Sequence, residues 1–298
     1  MQDKAPGLDG SARRERRSRR IPLLGGYVDG RGHRLSDVEL TPLNGRDETK
    51  LQELDGRTPL ASVVTVLLAR ALRRLGTIAR PSPEIVRELL VGDRDYLVLK
   101  LYELTLGPSL WITLACKLEG CGKPMDIKLD LSALPFEERP VSSRYFELDG
   151  GPRFRLPNGG DQEVASRLFS EDPKAAVRTM LERCLDVDDS IRPTLPRPEA
   201  LDITLGSAIE ARMQELAPAL DIELEAACPE CGGPFGGRLD LMPRLVGELC
   251  GSAPRLEHEV HVIAWNYHWS EREILALPRS KRRRYVQLID RQHELASA

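Results

Sequence analysis

Two cysteine pairs, roughly a hundred residues apart, sit inside the same short pattern, and this repeat restricts the possible folds more than any other feature of the chain. In the first copy Ile112 and Leu114 lead into Cys116, and Cys121-Gly-Lys-Pro124 leads out to Leu129-Asp-Leu131. In the second, Ile222 and Leu224 lead into Cys228-Pro-Glu-Cys231-Gly-Gly-Pro234, which leads out to Leu239-Asp-Leu241. Apolar residues alternate with polar ones on both sides of each pair, the period of a half-buried strand. Each copy therefore predicts strand, cysteine knuckle, strand. With only two copies, the repeat is an internal duplication and not a solenoid.

One knuckle offers two thiolates, and a structural zinc site needs four. Cys116, Cys121, Cys228 and Cys231 supply them, so the expectation is one structural Zn2+ per chain shared by both knuckles. Cys228-x-x-Cys231 has the usual zinc spacing, and Cys116-x4-Cys121 is slightly longer but within range. Other readings stay open: metal-free thiols, a redox pair, or a separate ion at each knuckle. The redox reading fits least, because strands follow the motif where a redox Cys-x-x-Cys would start a helix. A site with four protein thiolates has no free position for substrate, so it stabilises a fold and does no chemistry. Cys184 and Cys250 lack nearby partners and read as ordinary buried residues.

The rest of the chain bears on where that site is held. Residues 1–38 are rich in Arg, Gly and Ser and read as a basic, disordered tail. Residues 1–20 carry seven basic and three acidic groups, a net of +4, so with −3 overall the remainder carries −7. Helical spacing runs over Leu60–Leu75 with Gly76 as its cap, over Pro83–Leu90, and from a cap at Asp93 to Gly107. Asn44-Gly45 reads as a turn. A hairpin across Asp149-Gly150-Gly151 follows, then helices over 161–185 with Asp172 as a cap, and a Pro-rich connection, Pro193 to Pro198, into a helix near 199–216. Residues 241–293 are helical, with a capping box at Ser270 and Glu273. The expected fold is α+β and helix-rich, with the two duplicated knuckle hairpins packed into a small antiparallel sheet and a C-terminal helical part. The expected division is 1–38, 39–141, 142–218 and 219–293.

With 41% hydrophobic and 30% charged residues, the chain can bury a core. No stretch is apolar enough to span a membrane, and no secretory signal is present, so the expected location is cytoplasmic, including within an assembled particle. His258, His261 and His268 share a helical region with Trp265 and Trp269, and read as a packed core stripe and not a metal site. The basic run Arg282, Arg283 and Arg284, the tail residues Arg13, Arg14, Arg16, Arg17, Arg19 and Arg20, and Trp265 and Trp269 are candidate partner contacts. No phosphate loop, nucleophile elbow or acid–base constellation is present, so no enzyme activity is expected. A zinc-ribbon protein gripping nucleic acid with its Arg-rich arm is the alternative. The acidic body disfavours it, as does the lack of aromatic residues interleaved with the arm.

Several segments carry a resemblance: Leu43-Asn-Gly-Arg-Asp-Glu48; Leu89-Leu-Val-Gly-Asp-Arg94 with its helix to Leu104-Thr-Leu-Gly107; the Cys116–Cys121 knuckle; Phe154-Arg-Leu-Pro-Asn-Gly-Gly-Asp161; and Glu259 to Glu271 running into Ile274-Leu-Ala-Leu-Pro278. In this order, over residues 40–293, they resemble the baseplate hub and hub-assembly proteins of contractile-tailed bacteriophages and of phage-tail-like contractile injection systems. The resemblance implies a non-enzymatic role in building a baseplate, with tube, spike, hub or wedge proteins as partners.

Overall fold

The computed structural model describes residues 18–149, 151–169, 171–185, 203–220 and 222–297. Outside them lie Arg13, Arg14, Arg16 and Arg17, Gly150 of the expected hairpin turn, and the Pro193–Pro198 connection. The fold opens with strands β1 (Arg19–Val28) and β2 (Arg34–Leu40), which pair antiparallel. This corrects the expected tail, whose described part from residue 18 is ordered sheet. Ile21, Leu23, Leu24, Tyr27, Val38 and Leu40 are all buried in the main core. Their apolar signal was masked by the Arg and Gly around them.

Helix α1 (Gly45–Gln52) follows, and Asn44 is its cap instead of a free turn: Asn44 and Asp47 bond reciprocally to each other's backbone N–H. Helix α2 (Leu60–Ala71) stops four residues short of the expected end, because Leu72–Leu75 forms β3. Leu72 and Leu75 face Leu40 and Val38 across the ladder, a burial that helical continuation would forfeit. Gly76 (φ +53°) makes the tight turn to β4 (Ile78–Ala79) and not a helix cap. The sheet order is β1-β2-β3-β4.

Helices α3 (Pro83–Glu88) and α4 (Val91–Leu106) come next, and Gly107 ends α4 at φ +100°. Asp93 is not the cap of α4. It lies in the first turn, fully buried, and its two carboxylate oxygens accept the N–H groups of Gly25 and Gly26, each at 3.0 Å. Those glycines occupy the register shift in β1 between Pro22 and Tyr27, and Gly26 sits at φ +99°. The carboxylate thus satisfies two donors that the bulge withdraws from the ladder.

Strands β5 (Ser109–Ala115) and β6 (Pro124–Asp130) form the first knuckle hairpin. A short hairpin, β7 (Phe146–Glu147) and β8 (Arg153–Phe154), leads to α5 (Gly159–Phe169), α6 (Pro173–Cys184), capped by Asp172, and α7 (Ile203–Leu216). This middle segment packs a small core of its own around Phe154, Leu156, Cys184, Ile209 and Met213. Strands β9 (Glu223–Ala227) and β10 (Pro234–Arg238) form the second knuckle hairpin. Helices α8 (Met242–Cys250), α9 (Ala253–Tyr267), α10 (Glu271–Leu275, with the Ser270–Glu273 capping box) and α11 (Arg279–Ser297) complete the chain. The fold is α+β and helix-rich, as expected. Each knuckle hairpin is its own two-stranded sheet, so the two meet through side chains and not through a shared ladder.

The main core draws on β1–β3, α2, α4 and both hairpins, and on α8 through Leu245, Val246 and Leu249. A buried ionic quartet pins α11 to the opposite end of the sequence. Glu48 of α1 accepts Arg279 Nε at 2.9 Å and Arg282 Nη2 at 2.7 Å, and Arg282 Nε reaches Glu259 of α9 at 2.8 Å. Spare guanidinium donors are taken by the carbonyls of Leu249 and Leu277.

Candidate metal centre

Each knuckle is closed by the backbone of its own hairpin. The Cys116 N–H donates to Lys123 O at 2.9 Å and the Cys121 N–H to Leu118 O at 3.1 Å, with Gly120 and Gly122 at φ +85° and +58°. In the second knuckle the Cys228 N–H donates to Gly233 O at 2.9 Å and the Gly232 N–H to Cys228 O at 2.8 Å. Glycine supplies the left-handed residues that let four to six residues reverse direction and present both sulfurs on one side.

The two knuckles meet crosswise. Cys116 Sγ lies 3.8 Å from Cys231 Sγ, and Cys121 Sγ lies 3.9 Å from Cys228 Sγ. All four sulfurs fall within 4.8 Å of one another. First cysteine meets second cysteine in both contacts, as a local pseudo-twofold between duplicated hairpins requires. A tetrahedron with Zn–S arms of ~2.3 Å has S···S edges of ~3.8 Å, so the two crosswise contacts match an S4 site. They are far longer than the ~2.05 Å of a disulfide. The inner pair, Cys116 and Cys228, is buried over Met125, Leu114 and Leu224, whereas Cys231 is exposed. Gly233 keeps the knuckles in contact, since a Cβ there would lie 1.8 Å from Cδ1 of Leu118.

The surroundings favour thiolate at one position first. The N–H groups of Cys231 and Glu230 donate to Cys228 and bring its pKa down to about 7. At Cys231 the Gly233 N–H acts in the same direction. The crowding of Cys121, Cys228 and Cys116 outweighs it and pushes that thiol up to about 12. Four adjacent thiolates repel one another unless a cation neutralises them, so the donor set suits a soft divalent metal. Among the described residues, no other group of three or more His, Cys, Asp or Glu side chains is close enough to share an ion.

The remaining candidate residues separate. Arg282 is a correction: it is fully buried in the ionic quartet and unavailable to a partner. Arg283 is half-buried and Arg284 exposed. Arg19 and Arg20 belong to β1, where Arg20 is paired with Asp37 at 2.7 Å. The histidine and tryptophan stripe is not core either. Trp265 is 75% exposed with His261 stacked beside it, while Trp269 is partly covered by Tyr267 and Tyr285. Sequence reasoning missed the quartet itself, because Glu48 and Arg279 stand 231 positions apart with no local pattern joining them.

A helix-rich body clasped at one edge by a crosswise four-sulfur cluster is the class of protein that fold and site define. A family model described as T4 bacteriophage base plate protein matches residues 77–234, which is over half of the chain, and the chain belongs to that family. The match takes in both cysteine pairs and stops before α8–α11. No curated protein and no solved structure matches the chain. Membership gives it a structural place in a phage-type baseplate, among other baseplate proteins. No helix among the described residues is long and apolar enough to cross a membrane.

Proposed function

We propose that the protein is a non-enzymatic structural or assembly component of a contractile, phage-tail-like baseplate, acting at its hub, with one structural zinc ion per chain held by Cys116, Cys121, Cys228 and Cys231. The single observation that carries this reading is the closed set of four thiols inside the family-matched stretch. With every coordination position filled by protein, bound zinc would supply a rigid junction and leave no site for substrate. Two-stranded hairpins are marginal alone in water, and each knuckle buries few side chains. The ion therefore supplies what the local core lacks, and metal-binding energy becomes folding energy. Tube, spike, hub or wedge proteins are the expected partners.

The test is to purify the chain together with the products of neighbouring genes and measure its metal content. Co-elution with tail or baseplate proteins at about one zinc per chain supports the proposal. Co-elution with nucleic acid alone, in a salt-sensitive manner, would overturn the baseplate reading in favour of a zinc ribbon. Two zinc ions per chain, or none in folded protein, would overturn the shared site.

A further inference from the structure

Helix α11 has two faces with different fates. Arg279, Arg282 and Ile289 are buried against the body. At 3.6 residues per turn, Tyr285, Leu288, Gln292 and Leu295 fall on a second stripe about 80° wide, centred roughly 120° from the first. Leu288 is 44% and Leu295 81% exposed. Past Ile289, residues 290–296 are all exposed, and Leu295 continues the stripe into water from Leu288. The stripe begins at the ring cluster, where Tyr285 packs edge-on to Tyr267 and Trp269 at 5.5 and 5.1 Å.

The spacing of the stripe is three, four, three, the a/d seam of a helix pair with Gln292 as the one polar seam position. Arg284 and Arg291 take the g positions beside it, and both are exposed. We propose that this seam docks an amphipathic helix of another protein whose flanking positions are acidic. Charge decides between occupants. In an antiparallel pair of two copies of this chain, Arg284 and Arg291 would face their own counterparts. In a parallel pair they would face Ile289 and Ala296, of which Ile289 is committed to the core. Neither arrangement pairs the arginines, whereas glutamates on a different helix would. The proposal rests on the baseplate reading for who supplies that helix, but not for its chemistry.

The test has two arms, both on the full chain. The first titrates it with a synthetic three-heptad peptide carrying Leu at a and d and Glu at e and g, a pattern that keeps the peptide from pairing with itself. A second peptide with Lys in place of Glu is the control. The Glu peptide should bind at least about tenfold more tightly than the Lys peptide. Its binding should be lost in Leu288→Asp/Leu295→Asp, with the circular dichroism spectrum and Tm of the variant unchanged. Equal binding of both peptides, binding of neither, or retention in the variant overturns the proposal. The second arm repeats the co-purification with that variant and with Arg284→Glu/Arg291→Glu. Loss of a baseplate protein from both supports the seam. If both variants co-purify like wild type, the seam falls while the baseplate reading stands. If wild type brings down no baseplate protein, the baseplate reading falls and the peptide arm still decides the seam. Self-association of the wild type that Leu295→Asp abolishes would assign the seam to a second copy and overturn the proposal.

Discussion

Single residues carry unequal shares of this fold. Glu48 is buried and neutralises two buried arginines at once. Glu48→Gln takes away the carboxylate that bonds both Arg279 and Arg282, with Glu259 still paired to Arg282, and breaking a buried ionic group in this way costs about 3–5 kcal/mol. A loss of that size in the unfolding free energy from urea titration is expected, and a loss under about 1 kcal/mol would contradict it. Asp95, one residue from the fully buried Arg94, is a pH-dependent liability. Desolvation raises its pKa to about 7, against the pull of Arg94 and with a push from Asp240. The folded state therefore keeps a proton that the unfolded chain has already released between pH ~4 and ~7, so stability falls as pH rises through that window. Asp95→Asn should flatten the decline and leave the protein more stable than wild type at pH 8, read from urea midpoints across pH. Asp161 works in the opposite sense. It is fully buried, and although burial alone would raise its pKa, its bonds to Arg155, to the Asn158 N–H and to Arg183 bring it below the ordinary value. Its contribution is lost as pH falls through that depressed pKa, which separates the two effects in a pH series.

At the scale of elements, β1 is integral to the body. Its strand pairs with β2, and Asp93 holds its bulge from the side of α4. Removing residues 1–28 would strip Ile21, Leu23, Leu24 and Tyr27 from the main core and leave β2 as a bare edge. That truncation should give insoluble or unfolded protein; a cooperative thermal transition at the wild-type temperature would show that β1 is dispensable. Asp93→Asn keeps one acceptor where two are used. It should cost about 1–3 kcal/mol, the range for a buried donor left unsatisfied. The two knuckle hairpins depend on each other in a similar way, since neither closes a four-thiolate site and Leu118 of the first covers Gly233 of the second.

For the whole molecule, the cysteine cluster joins segments that also share the main core. Ile112 and Leu129 of the first hairpin and Ile222 before the second are packed with α2, α4 and α8. Loss of the clasp should therefore spread beyond the hairpin tips. Chelation, or Cys228→Ser, is expected to lower the Tm by roughly 5–15 °C. Hydrogen exchange should show lost protection at residues 109–130 and 223–238 first. If the Tm stays fixed and only the knuckle loops exchange faster, the ion is local decoration. The family match ends at residue 234, and α8–α11 lie beyond it. The quartet around Glu48 ties that helical part to the first helix of the body.

By itself the sequence determined what short-range chemistry can encode: the period of the strands, the caps at Asp172 and Ser270, and the cysteine spacing with its repeat. It also marked the four cysteines as one set, because duplication writes the same local pattern twice. Only the tertiary structure decided the rest. It brought the sulfurs of the two knuckles to 3.8 and 3.9 Å, an arrangement that depends on how the hairpins pack. It moved Arg282 from surface to core and Trp265 from core to surface, since the charge or hydropathy of a side chain does not say which face of a helix meets a neighbour. It also turned the end of an apparent helix into β3 and part of an apparent tail into β1. A strand's stability comes from a partner distant in sequence, whereas a helix or a cysteine knuckle is built from its own neighbours.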